Sequence, residues 1–220
     1  MEQPETMRDF FNARADIYDT QQIQNIDGGS ACYRDAAKFL PSGLETLLDL
    51  GCGTGLELEA VFARFPDVQV TGIDLAEKML EKLREKYAGH SLFLINGSYF
   101  STELGENRYD AVISIMSLHH FEPGIKMGLY RNILRSLRPG GVFLEGDYLV
   151  GTNDDAEEAE LLAQRRKVQT DCHLTESFYH IDTPLTVTHE TDLLVSAGFS
   201  TVRQVWGMGN NIMLLAQKPA

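Results

Sequence analysis

Apolar positions along this chain alternate between two regimes. Short continuous apolar runs recur at Leu47-Leu48-Asp49-Leu50, Val68 to Ile73, Leu92 to Ile95, Tyr109 to Ile115 and Val142 to Leu149. Runs of that length bounded by glycine, proline and polar residues read as strands buried on both faces. Between them the spacing changes to three and four. Leu56, Val61 and Phe65 share one helical stripe, and Leu75, Met79, Leu80, Leu83 and Tyr87 form another among Glu and Lys. A third stripe holds Leu129, Ile133, Leu134 and Leu137 and stops at Arg138-Pro139-Gly140, because proline cannot continue a helix and glycine follows it. Strand-then-helix alternation predicts a parallel sheet with helices on both faces. A last helix over Glu190 to Ala197 and strands near Thr201 to Val205 and Ile212 to Ala216 complete the pattern.

Two stretches depart from the alternation. Residues 1–40 read as short helices that would cap the domain, and residues 151–186 as an insert after strand five that would form a lid. The insert begins Thr152-Asn153-Asp154-Asp155 and runs helically to Arg165-Arg166-Lys167. Acids first and bases last complement a helix dipole, so the basic triplet reads as a helix end rather than a phosphate site. At 220 residues the whole chain, 1–220, is expected to be one domain.

The richest chemistry follows the first strand. Asp49-Leu50-Gly51-Cys52-Gly53-Thr54-Gly55 puts glycine at every second position, a turn tight enough for backbone to touch a ligand. Nineteen residues past Gly55, Asp74 ends the second strand, where an acid commonly holds a ribose diol. A dinucleotide fingerprint would read G-x-G-x-x-G. Here the run is G-x-G-x-G, Leu56 would crowd a pyrophosphate, and Asp49 would repel phosphates while suiting ammonium and sulfonium groups. The spacing points away from a nicotinamide oxidoreductase and toward S-adenosylmethionine.

With Leu47 to Gly55, Gly72-Ile73-Asp74-Leu75, Tyr109 to Phe121 and Leu134 to Gly141 in this order, the chain resembles the class I S-adenosylmethionine-dependent methyltransferases over most of its length. Phe10 to Asp19 also looks like the opening segment of members that act on small molecules. The resemblance implies a three-layer Rossmann-like α/β fold with a seven-stranded, mostly parallel sheet and an antiparallel last strand. It implies Asp49, Gly51, Cys52, Gly53 and Gly55 around the methionine part of the cofactor, and Asp74 on the ribose. Leu75 and Met79 would lie against the adenine, with Gly97 and Ser98 nearby. Ser98 stands where the family usually has an aspartate. Ile115 and Met116 would offer backbone carbonyls to the ammonium, and Tyr18, with Arg14 a turn earlier, would cover the carboxylate.

Methyl transfer from a sulfonium needs alignment and exclusion of water more than covalent help. His119 and His120, at the end of strand four, are the candidate catalytic pair, since imidazole suits base work near neutrality. A metal site joining either histidine to Glu145 or Asp147 is sterically open, and no metal is assigned. Cys172, His173, Phe178, Tyr179, His180 and Asp182 in the insert suit either a lid that contacts a small, partly apolar acceptor or one that packs down on the domain.

Charge and composition narrow the partners. A formal net charge of −13 disfavours nucleic acid, which needs a basic footprint. Cys32, Cys52 and Cys172 have no paired or metal-like spacing. No leader-like or membrane-length apolar run is visible, so a cytoplasmic protein, monomer or homodimer, is expected. The expected function is methylation of a small molecule at oxygen or nitrogen. The rivals are a tRNA-modifying enzyme of the same fold and a non-catalytic cofactor-binding regulatory module. Phe39, Phe62 and Trp206 read as core.

Overall fold

The computed structural model describes residues 4–25, 29–174 and 178–220, so parts of the expected cap and insert lie outside the described residues. The strands are β1 (Thr46–Leu50), β2 (Gln69–Asp74), β3 (Leu92–Asn96), β4 (Tyr109–Ile115), β5 (Leu137–Tyr148), β6 (Thr201–Met208) and β7 (Asn211–Gln217). They form one sheet in the order β3-β2-β1-β4-β5-β7-β6, with β7 antiparallel to both neighbours and the other pairings parallel. The order reverses between β1 and β4, and the carboxyl ends of those strands open the crevice where such sheets bind ligands.

Alternate residues of each strand feed opposite faces. Leu48, Leu50 and Val112 pack with Leu129, Ile133 and Leu194 from α6 (Pro123–Ser136) and α8 (Val187–Ala197). Leu47, Val70 and Ile113 pack with Val61, Leu80 and Leu83 from α4 (Leu58–Arg64) and α5 (Glu77–Lys86). Phe62 belongs to the second core, with Phe39 and Trp206 partly buried against it. The edge strand β3 leaves Phe93 61% exposed.

Strand five begins at Leu137 rather than Val142, because Leu137 pairs with Tyr109 before the register shifts at Ala111. The last helix starts at Val187, where the Thr186 hydroxyl caps the His189 amide, and ends at Gly198 in the left-handed conformation.

Between the sheet and the helices lies a buried polar cluster. Lys126 Nζ donates to Glu190 Oε2 at 2.5 Å and stands 3.9 Å from Glu145 Oε1. The Tyr130 hydroxyl bridges Glu145, at 2.9 Å, and Glu190. Burial and the neighbouring Glu190 push the Glu145 carboxyl well above the usual range. Glu145 is therefore engaged with Tyr130 and Lys126 and does not join the histidines, a pairing the sequence had left open.

The cap consists of α1 (Met7–Arg14), α2 (Tyr18–Asn25), α3 (Gly29–Ala36) and a 3-10 turn. The insert is dominated by α7 (Asp155–Asp171), whose first turn is capped by Asp154. α7 runs past the basic triplet and has no base in its last turn, which overturns the dipole reading of Arg165-Arg166-Lys167. Arg165 is instead 2% exposed. Its guanidinium donates to His120 O at 2.7 Å, Thr183 Oγ1 at 2.9 Å and Ile181 O at 3.1 Å, beside Glu122. The insert also joins the cap: Met7 N donates to Phe178 O at 2.8 Å and His180 N to Glu5 O at 3.1 Å. Cap and insert thus close one rim together. No helix among the described residues is long and apolar enough to cross a membrane.

Candidate active site

The glycine turn leaves β1 in positive-φ geometry, and its glycines serve different purposes. Gly51 has φ +73°, and a Cβ there would stand 2.2 Å from Ser117 Oγ. A Cβ at Gly55 would press on Tyr87, Leu58 and Leu83, so Gly55 allows helix packing rather than facing the crevice. Gly51→Ala is expected to store about 1–3 kcal/mol of backbone and steric strain. That would lower Tm by several degrees in a thermal scan and weaken any ligand held by the turn; an unchanged Tm and unchanged ligand affinity would show that the turn relaxes freely.

Asp74, at the end of β2, accepts from Gly53 N at 2.9 Å and Ala76 N at 2.8 Å. Burial raises its pKa against those amides. Asp49 is 1% exposed, and its Oδ2 has no hydrogen-bond partner. Burial and the adjacent Glu57 push the Asp49 carboxyl well up; burial pushes Glu57 up to about 7. Two buried carboxyls beside a glycine turn call for a cation.

A narrow cavity of about 40 Å³ lies over the turn. Gly51, Gly53, Asp74, Leu75, Met79 and Met116 line its floor, and Met7, Phe11 and Tyr18 of the cap cover it. Met116 has φ +54°, an uncommon conformation for a non-glycine residue, held by its amide donating to Gly146 O at 2.7 Å. Six residues of the expected constellation do not line this cavity: Asp49 and Gly55, described above, and Cys52, Ile115, Gly97 and Ser98. Cys52 and Ile115 are buried in the core beneath the turn. Ser98 Oγ accepts from Phe100 N, and its carbonyl accepts from Thr102, so it organises a turn. Tyr99, next to Ser98 in sequence, lines the cavity, its hydroxyl 3.0 Å from Ser117 Oγ. Sequence reasoning missed Tyr99, Ser117 and Phe11. The available signal was the aromatic pair Tyr99-Phe100 directly after the third strand.

A larger cleft of 690 Å³ adjoins it, sharing Phe11, Tyr18, Met116 and His120. Its walls come from the cap, the end of β4, Tyr148, the β6–β7 turn and the insert residues His180 and Asp182. Arg14 also lines it but is engaged within the cap, donating to Phe10 O and Glu5 Oε2. Of the other insert candidates, Phe178 stacks on Phe100 and Tyr179 is buried, while Cys172 and His173 lie outside the lining.

His119 and His120 sit in a 3-10 turn (Leu118–His120) that follows β4. His119 Nδ1 stands 2.5 Å from Asp147 Oδ1, and Asp147 Oδ2 accepts from Leu118 N at 2.7 Å. Asp147 thus fixes both ring and turn. Burial alone would lower the His119 pKa, but Asp147 outweighs it and raises it. His119 Nε2 points toward Asp182, at 3.7 Å from Oδ1. His120 Nδ1 stands 3.1 Å from the same oxygen without hydrogen-bond alignment, and burial pushes its pKa down to about 4. The cleft therefore presents one imidazole oriented by a carboxylate and a second held neutral.

Residues 47–141 match the family model described as a methyltransferase domain. A sterol 24-C-methyltransferase of Gibberella zeae is 28% identical over 212 residues, covering 84% of this chain and 54% of that protein. One of Aspergillus fumigatus is 30% identical over 119 residues, 52% of this chain and 30% of its own. The chain spans about half or less of the curated relatives it matches here. Among solved structures, human N-acetylserotonin methyltransferase in complex with S-adenosylmethionine superposes with a TM-score of 0.65 at 21% identity, over 96% of this chain and 55% of that one. The solved likeness shows the fold, and residues 47–141 are similar to a methyltransferase domain.

Proposed function

We propose that this chain is a class I S-adenosylmethionine-dependent methyltransferase and moves a methyl group to a small acceptor at oxygen or nitrogen, a reading supported by the methyltransferase-domain match and the shared fold. The observation that carries the reading is the juxtaposition of two cavities: one over the glycine turn, the other under His119, joined at Met116 and His120.

The residues present suit the cofactor. Asp49 carries an unpartnered buried carboxylate oxygen, and Asp49 with Glu57 matches an ammonium. Asp74 suits a diol, and Leu75 and Met79 offer an apolar wall for a base. Gly51 lets the turn pack against Ser117, where a side chain would collide. Bound S-adenosylmethionine supplies a methyl group already activated on a sulfonium. The protein then orients the acceptor and removes its proton. Phe10, Phe11 and Tyr148 give the cleft aromatic walls for a small, partly apolar acceptor. His119 Nε2, the ring nitrogen that Asp147 leaves free, receives the proton. Cap and insert exclude water once the acceptor is in place.

The first test is calorimetry with S-adenosylmethionine and S-adenosylhomocysteine. Asp74→Ala is expected to weaken both by about tenfold to a hundredfold, as loss of charged hydrogen bonds does. Affinity for S-adenosylmethionine should also rise with pH through about 7 as Glu57 ionises. The sign follows from the ligand's positive charge, which favours the carboxylate. The rise is read below about pH 7.7, where an α-amino group keeps its proton, and Glu57→Gln should flatten it. Absence of binding by either sulfur ligand would sink the reading.

A further inference from the structure

We propose that His119, His120 and Asp182 form a binding site for one divalent transition-metal ion of the zinc class, opening into the acceptor cleft. The three residues each offer a ligand atom within 4.8 Å of the others. Asp182 Oδ1 lies 3.1 Å from His120 Nδ1 and 3.7 Å from His119 Nε2. Bonds of about 2.1 Å in tetrahedral geometry put ligand atoms about 3.4 Å apart, so small rotations close the site.

Three features argue for a built site rather than a chance cluster. His120 Nδ1 is a buried nitrogen that makes no hydrogen bond and is aimed at the cluster, on a residue only 2% exposed. A neutral imidazole nitrogen left so is costly unless something binds it. His119 presents Nε2 because Asp147 holds its other nitrogen, the carboxylate–histidine pairing that orients metal ligands. The two chain segments are also locked together. Thr183 N donates to His119 O at 2.7 Å, and Arg165 bridges the carbonyls of His120 and Ile181.

Two imidazoles and one carboxylate favour zinc, iron, cobalt or nickel over magnesium or calcium, which prefer all-oxygen sites. Three protein ligands leave a fourth position, and all three residues line the 690 Å³ cleft. The proposal has a consequence that rests on the function proposed above. His119 Nε2 cannot hold a cation and accept a proton at once, so metal loading and methyl transfer exclude each other.

The experiment titrates the chelator-treated full chain with zinc chloride by calorimetry and repeats it with cobalt(II), read by absorption. One equivalent should bind, with cobalt bands of nitrogen–oxygen coordination and no thiolate charge-transfer band. Asp182→Ala, at a half-exposed position, should weaken zinc by about tenfold to a hundredfold while S-adenosylhomocysteine binding and the circular dichroism stay as in the parent. His120→Gln should weaken it likewise. Zinc binding that survives both variants, a thiolate band, or no binding at sub-millimolar zinc would overturn the site. These readouts need no acceptor, so they stand apart from the methyl-transfer reading. Once an acceptor is found, zinc should inhibit at the concentration where it binds. A rate that climbs with bound zinc would overturn the exclusion.

Discussion

Replacing His119 with alanine is expected to slow methyl transfer by about 10²–10⁴-fold, the usual contribution of a positioned base. Affinity for S-adenosylhomocysteine should stay within about twofold, because that difference is well under the 1.4 kcal/mol that a tenfold change requires. The separation of the two effects comes from geometry. His119 lines the larger cleft but not the cavity over the glycine turn, whereas His120 lines both. His120→Ala should therefore disturb cofactor affinity and rate together. Asp147→Asn is informative in a third way: it removes the carboxylate that fixes the His119 ring and accepts from Leu118 N. It should cost rate even though it touches neither ligand. Single-turnover kinetics with saturating cofactor separates these cases. Full activity in His119→Ala would remove that residue from the mechanism and leave the acceptor's proton to solvent.

The second large effect concerns stability. Lys126→Met should cost about 3–5 kcal/mol, the penalty for stripping one partner from a buried ion pair. In a domain of this size that corresponds to a fall in Tm of roughly 6–20 °C. Lys126, Glu190, Glu145 and Tyr130 are each no more than 1% exposed, so water cannot solvate the carboxyls left behind. Lys126→Met with Glu190→Gln should recover much of the loss, because the pair is coupled. The pH dependence has a defined sign. The folded pKa of Glu145 is raised above its unfolded value, so its protonated form favours the fold at low pH and that contribution is lost as pH rises. Without the ammonium the variant should lose relatively more stability at pH 8 than at pH 5. Chemical denaturation at the two values measures it. A variant as stable as the parent at both would mean that the cluster does not hold α6 and α8 to the sheet.

Much of this architecture is written in local pattern. The apolar runs and helical stripes specify strands and helices because burial on two faces and on one face demand different periods. The helix expected to stop at Arg138-Pro139-Gly140 ends earlier, at Ser136, and Pro139 and Gly140 lie in β5, while the order of elements implies a crevice at the reversal between β1 and β4. The glycines and Asp74 were readable because each owes its role to backbone shape or to a strand end, both local properties. Asp147 and Glu145 show where that legibility stopped. They lie two residues apart on one strand, yet one orients His119 and the other joins Lys126 and Glu190. Arg165 looked like a helix-end charge and is a buried clasp, because its partners are carbonyls 45 and 16 residues away in the chain. Ser98 was read for its position, while the fold turned Tyr99 inward instead. By itself the sequence determined the alternating layers, the glycine turn and the acid at the end of β2, since these follow from propensity and spacing. Only the tertiary structure decided which imidazole meets which carboxylate, because side chains from the turn after β4, from β5 and from the insert converge through packing that no local pattern encodes.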